Sequence, residues 1–282
     1  MHGPQGDEKK QQDERLARFN EQCAVKIMVL GGKGGVGKST IAVNLAVGLA
    51  QRGFRVGLLD ADLHGPNTAR MLGLEGARLE AGSQEGLIAP VQARPLLRLA
   101  SLALTHEDDT AFIWRGPLKI AIIRQFLADT EWGPLDFLVA DSPPGTGDEP
   151  LTLAQSLSGH RLGLVVTTPQ EVALQDASRS LRFVQSLRLP LLGLVENMAG
   201  YLGPNLEVLP LFGGPGADSL ARAHGTSVLV RLPLEPMVGQ FPQTPFMERD
   251  SVLKEKFQPV VDAAIRALKQ PPNQPFSLRR TS

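Results

Sequence analysis

Residues 31–40 read Gly-Gly-Lys-Gly-Gly-Val-Gly-Lys-Ser-Thr, and no other stretch restricts the fold as strongly. The run contains the pattern G-x-x-x-x-G-K-[ST] from Gly32 to Ser39. An apolar run, residues 25–30, precedes it, and a helical pattern, residues 41–50, follows it. Strand, glycine loop and helix in that order make a cradle for an anion. The glycines let backbone N–H groups converge on phosphate oxygens, and the helix N-terminus adds a favourable dipole. A glycine-rich turn matching the pattern by chance would have no reason to join a buried strand to a helix.

Further apolar runs repeat the theme. Strands are expected at residues 56–60, 87–91, 96–104, 137–140, 162–167, 191–195 and 228–232. Helical patterns occupy residues 39–52, 118–129, 168–187, 217–223 and 252–268, with residues 200–215 read as a Gly/Pro-rich loop. Unbroken apolar strands alternating with helices specify an α/β fold: a doubly wound, mainly parallel sheet with helices on both faces. Residues 23–269 form the expected domain. Residues 1–22 are polar and charged and read as a solvated, flexible arm, with a helix carrying Leu16 and Phe19 on one side as the alternative. Residues 270–282 are Pro-rich and read as a disordered tail.

Composition excludes several classes. The 29 basic and 29 acidic residues cancel, which argues against a general nucleic-acid surface. The N-terminus lacks a secretory signal pattern, and the apolar runs are too short to span a bilayer. Cys23 is the only cysteine, so no internal disulfide can form, which suits a reducing cytoplasm. His64 and His106 have no partners at metal-ligand spacing.

Acids stand where the fold would place chemistry. Asp60 closes the strand at 56–60 and leads into Ala61-Asp62, and Asp141 closes the strand at 137–140. Ligands in open α/β sheets sit at the carboxyl ends of strands, beside the phosphate loop. Asp141 has the form of a Walker B acid, held near a magnesium shell. It continues into Ser142-Pro143-Pro144-Gly145-Thr146-Gly147-Asp148, a loop stiff and then pliable, suited to following a terminal phosphate. Asn197, at the end of the strand at 191–195, could read the two edges of an adenine or serve as a turn residue.

Lys33 within the loop gives K-G-G-x-G-K-[ST], and the chain also carries DADLHGPN, WRGP, WGPLDFLVADSPPGTGD, TTPQEVAL, VENM and FGGPGA in sequence. This set resembles the MinD/ParA-like ATPases with a deviant Walker A loop. Within them it most resembles the Mrp-like iron–sulfur cluster carrier ATPases, over residues 25–234. The resemblance implies an ATPase that binds ATP and Mg²⁺, hydrolyses slowly and switches as a homodimer across the nucleotide site. It implies that Lys38 contacts the β- and γ-phosphates, with Gly32, Gly34, Gly35, Val36, Gly37 and Thr40 around the phosphate oxygens. It implies that Ser39 ligates Mg²⁺ and that Lys33 reaches across the dimer. Asp62 positions or activates the attacking water, with Asp60 and Asp62 counted with Ser39 and Asp141 in the metal shell. Gly145 senses the γ-phosphate and Asn197 reads adenine.

One departure stands against these matches. The family's C-P-x-C segment should follow VENM, but here the chain reads Met198-Ala199-Gly200-Tyr201-Leu202-Gly203-Pro204-Asn205-Leu206. Iron–sulfur ligation depends mainly on thiolates, so the carrier half of the resemblance lacks its cluster site. Two readings follow. One is a carrier-type ATPase without a bridging cluster, or working beside a protein partner or client that holds it. The other is a MinD/ParA-type positioning or regulatory ATPase acting on a protein partner. No nucleic-acid or membrane partner is expected, since the tail offers only Arg279-Arg280.

Overall fold

The computed structural model describes residues 4–63, 65–105, 116–213, 216–235 and 244–270. His64, His106, Trp114, Arg115, residues 238–243, Gly214-Pro215 of FGGPGA and the tail after Gln270, all considered above, lie outside the described residues.

The elements run in chain order as α1 (Pro4–Gln22), β1 (Cys23–Leu30), α2 (Lys38–Gln51), β2 (Val56–Asp60), α3 (Thr68–Met71), β3 (Glu80–Ala81), β4 (Ile88–Ala89), β5 (Val91–Arg94) and β6 (Leu97–Ser101). They continue as α4 (Gly116–Asp129), β7 (Leu135–Asp141), α5 (Asp148–Ser156), β8 (Arg161–Thr167), α6 (Glu171–Ser186), β9 (Leu191–Leu202), β10 (Val208–Leu209), α7 (Ala217–Ala223), β11 (Val228–Leu234) and α8 (Val252–Leu268). The main sheet has the order β10-β9-β8-β1-β7-β2-β6-β5, with β11 also paired to β9. Only the β5–β6 and β9–β10 pairs in it are antiparallel. The expected doubly wound, mainly parallel sheet is therefore the fold.

Period-two alternation explains why both faces are covered. Val25, Ile27, Val29, Phe137 and Val139 join one apolar cluster with α2 and α8. Met28, Leu30, Leu138 and Ala140 join the other with α1, α4, α5 and α6. Each central strand thus buries consecutive residues on opposite sides, and the apolar runs have no polar face to show.

Two expectations are corrected. The solvated arm is a docked helix: Leu16 and Phe19 are buried, and the Phe19 ring lies 6.4 Å from that of Trp132. Arg15 pairs with Asp129 at 2.8 Å, and Arg124 of α4 with Asp13 at 2.5 Å. At the base of β1 the buried Lys26 ammonium donates to the Asn20 carbonyl at 2.6 Å. The charge of α1 belongs to its outer side, and a narrow apolar stripe suffices to seat it. The second correction concerns residues 200–215. β9 runs on to Leu202 and folds back through a turn into β10, with Leu209 opposite Tyr201. Gly200 is required there, because a Cβ would come within 2.6 Å of the Val208 side chain. The glycine read as a loop signal serves close strand pairing.

Phe19→Ala should lower the unfolding free energy by about 3 kcal/mol. Urea unfolding checks this; a frayed arm would leave the midpoint unchanged.

Candidate functional site

The phosphate loop leaves β1 at Leu30 and enters α2 at Lys38. Gly35 (φ 81°) and Gly37 (φ 93°) take the left-handed conformation that turns successive amides to one side. Cβ atoms at Gly34 and Gly35 would meet nothing within 4 Å, so packing within the chain does not demand glycine at position 34. Elsewhere the loop is tightly enclosed. A Cβ on Gly31 would lie 2.9 Å from the Lys38 side chain, so the stem of Lys38 curls back over the loop. A Cβ on Gly32 would lie 2.3 Å from the Asp176 backbone in α6. One on Gly37 would lie 2.2 Å from the Asn197 amide nitrogen. Lys38 is buried, while Lys33, Ser39 and Thr40 are half-buried and Val36 is buried beneath the loop.

The sheet aligns the acids. Asp141 pairs in register with Val29 of β1 on one side and Asp60 of β2 on the other, and Asp60 pairs with Ser101 of β6. Asp141 is 0% exposed, and neither carboxylate oxygen has a partner in hydrogen-bond geometry. Burial pushes its pKa well above the usual carboxylate range, and Asp60 pushes the same way. The Ser39 hydroxyl and the Lys38 ammonium hold it back. A buried, unpartnered carboxylate near a serine hydroxyl and a cradle of amides fits a hard, oxygen-seeking dication such as Mg²⁺.

Asp60 accepts hydrogen bonds on both carboxylate oxygens. Its Oδ2 accepts from the Thr68 hydroxyl at 2.8 Å, the Thr68 amide at 3.2 Å and the Ser101 hydroxyl at 3.2 Å. Its Oδ1 accepts from the Asp62 amide at 3.2 Å. These donors oppose the rise that burial imposes on its pKa. Through these bonds Asp60 ties the β2 loop to α3 and β6. The half-buried Asp62 is the acid that the same loop presents.

Two more ties reach the phosphate loop. The Gly145 amide (φ 85°) donates to the Gly31 carbonyl at 3.2 Å, and the Asn197 amide donates to the Val36 carbonyl at 2.9 Å. Both residues thus tie neighbouring segments to the backbone of the loop. Sequence reasoning missed Thr68, Ser101, Asp176 and Glu196. Buried Glu196 accepts from the Ala217 amide at 2.7 Å and from Arg231 at 2.8 Å, holding α7 against β9. A charged residue inside an apolar strand was the available signal for Glu196; Thr68 and Ser101 had none.

A phosphate loop facing aligned acids at the carboxyl ends of a parallel sheet defines a P-loop nucleoside triphosphatase. Residues 22–265 match the ParA family, described as NUBPL iron-transfer P-loop NTPase, and the chain belongs to that family as a P-loop ATPase. The iron-sulfur cluster carrier protein of Methanocaldococcus jannaschii is 43% identical over 227 residues, 80% of this chain and 78% of the relative. That of Methanococcus maripaludis is 37% identical over 271 residues, 94% and 93% of the two chains. A solved nucleotide-binding protein from Archaeoglobus fulgidus, in complex with ADP, has a TM-score of 0.68 at 30% identity, covering 96% of this chain and 99% of its own. The cell division ATPase MinD of Pyrococcus furiosus shares the fold, with a TM-score of 0.62 at 20% identity over 86% of this chain and 99% of its own.

The raised Asp141 carboxyl sets the sign of a pH effect. Between the unfolded value near 4 and the higher native value, the native state holds more protons, so stability falls as pH rises through that interval. Asp141→Asn should therefore melt at least ~3 °C above the parent at pH 8 and together with it below about pH 4. Thermal unfolding across that range checks this, and Mg²⁺-nucleotide should raise the parent's melting temperature more than the variant's.

Proposed function

We propose that this chain is a nucleotide-switched homodimeric ATPase of the iron–sulfur cluster assembly type, with any cluster held by a protein partner. The observation that carries the ATPase chemistry is the bare, buried Asp141 carboxylate set against Ser39 and Lys38 at the mouth of the loop. The matching relatives named iron-sulfur cluster carrier proteins support the biological role.

In this reading ATP lies along the amides of Gly32, Gly34, Gly35, Val36, Gly37 and Thr40, with Lys38 neutralising charge on the β- and γ-phosphates. Ser39 and Asp141 would hold Mg²⁺, which would supply charge neutralisation to the phosphates. Asp62 orients a water toward the γ-phosphorus, and the bond to the β–γ bridging oxygen breaks as the new P–O bond forms. Asp60 positions the Asp62 loop. Lys33 adds a cation from the second subunit, which lowers the barrier only when two subunits close. Gly145 follows the γ-phosphate by exchanging its bond to the Gly31 carbonyl for one to phosphate oxygen. Asn197 keeps one amide hydrogen on Val36 and turns its remaining hydrogen and oxygen to adenine.

The donor set argues for a cluster held elsewhere. Cys23 is buried at the entrance to β1, and burial pushes its thiol up to about 12, so no thiolate is available there. Among the described residues no group of three or more His, Cys, Asp or Glu side chains is arranged to hold a metal, and no helix is long and apolar enough to cross a membrane. A cytoplasmic location is part of this reading, and the single buried free thiol supports it. The positioning-ATPase reading lacks a comparable supporting observation.

Phosphate release should be measurable for the wild type and fall at least ~100-fold in Lys38→Ala; equal rates in a malachite-green assay would sink the ATPase mechanism. Anaerobic reconstitution followed by gel filtration should leave no iron or sulfide on the isolated protein. Retained stoichiometric metal would show that the chain carries a cluster itself.

A further inference from the structure

A cavity of about 340 Å³ lies at the opposite end of the sheet from the phosphate loop, between α1, the turn that joins β3 to β4, and the segment that leads from α4 into β7. That volume suits a small organic molecule. One face of α1 lines it, with Glu14, Arg15, Arg18 and Phe19 at helical spacing. The other walls are tied in place. The Glu131 amide donates to the Ile88 carbonyl at 2.8 Å, and the Glu131 carboxylate accepts from the Ser83 amide at 2.8 Å. Arg15 closes one end, bonding Asp129 at 2.8 Å and the Gly86 carbonyl at 3.5 Å.

Two buried polar groups that line this cavity have no partner. Trp132 is 2% exposed and Thr130 6%, and neither the indole Nε1 nor the Thr130 hydroxyl has a hydrogen-bond partner among the described residues. A Cβ on Gly57 of β2 would lie 2.9 Å from Cε3 of the indole. The six-membered ring therefore rests on the sheet, and Nε1, on the far side of the indole, points away from it. An indole N–H only donates, so it requires an acceptor, and leaving it unpaired in the interior is costly.

The charges sort by position. Arg18 adjoins Phe19, whose ring lies 6.4 Å from that of Trp132, so this cation stands at the indole end. Glu14 stands one turn earlier, about 6 Å back along α1. It shares that end with Arg15 and with Glu85, the neighbour of Gly86. Arg15 and Glu131 are already paired, whereas Glu14, Arg18 and Glu85 form no ion pair with another described residue. The cavity thus has a donor end at Arg18, Trp132 and Thr130 and an acidic end at Glu14 and Glu85. Phe19, Leu87 and Ala128 add apolar wall.

We propose that this cavity binds a free α-amino acid with an apolar side chain. The carboxylate accepts from Trp132 and Thr130 beside Arg18, the ammonium faces Glu14 and Glu85, and the side chain covers Phe19 and Leu87. The balance of charge selects a zwitterion. A phosphate or a dicarboxylate would meet two unpaired acids, and a polyamine would leave the indole N–H without an acceptor. The site is independent of the nucleotide chemistry, because none of its lining residues belongs to the phosphate loop or its acids.

Trp132 reports its own site. In a Trp114→Phe background it is the only tryptophan, and titration of the full chain with L-phenylalanine or L-leucine should change its fluorescence saturably, with a dissociation constant below about 1 mM. Arg18→Ala and Glu85→Gln, both at exposed positions, should each weaken binding at least ~5-fold with the melting temperature unchanged. Thr130→Val, which keeps the shape and removes the hydroxyl, should weaken it in the same direction. Phenylalaninamide and N-acetylphenylalanine, each lacking one charge, should bind at least ~10-fold more weakly than L-phenylalanine. Either of these binding as tightly as L-phenylalanine overturns the amino-acid assignment in favour of a chain terminus. No saturable signal with either amino acid up to about 10 mM, or binding that all three variants leave unchanged, overturns the proposal and leaves the cavity to water.

Discussion

A buried carboxyl group at the phosphate loop organises this molecule. Asp141 ends the strand next to the central β1 with no exposed surface and no hydrogen-bond donor on either oxygen. Such a group is costly in an apolar sheet and is retained where something outside the chain completes it. Its surroundings follow from that need. Lys38 curls over Gly31, Ser39 lies in the first turn of α2, and Asp60 is held by Thr68 and Ser101 so that it supports the neighbouring loop. The site is incomplete by construction, which makes its stability and its ligand inseparable.

The phosphate loop is also the point where three other segments meet. α6 touches Gly32, the loop after β7 bonds Gly31 through Gly145, and β9 bonds Val36 through Asn197. Each contact requires a glycine or a short amide at close range, so the loop cannot shift without moving a neighbour. The hairpin beyond Asn197 is the part of that network that reaches solvent with apolar side chains. It occupies the segment in which the resemblance leads one to expect a cysteine pair.

The fold and the centre of the site were legible in the residues. The loop from Gly32 to Ser39, the strand-ending Asp141 and the alternating apolar runs depend on local pattern, and local pattern is what a linear reading detects. The role of Asp60 was not legible, because its partners Thr68 and Ser101 lie 8 and 41 residues away. The arm was read as solvated because the average polarity of residues 1–22 outweighed the Leu16–Phe19 stripe, and only α4 and Trp132 reveal what that stripe packs against. The hairpin was misread because glycine marks a turn and a close strand pairing alike; the Gly200–Val208 contact decides between them.

By itself the sequence determined that this chain binds phosphate on a doubly wound sheet, since backbone amides, a lysine and strand-end acids at fixed spacing leave few other folds open. It also determined, through a single cysteine, that no disulfide forms within the chain. The tertiary structure alone decided which acid is left bare and which is held, what Asn197 and Gly145 touch, and where the apolar surface remains. Those outcomes depend on strand register and on distances between segments far apart in the chain, and neither is written in any local stretch of residues.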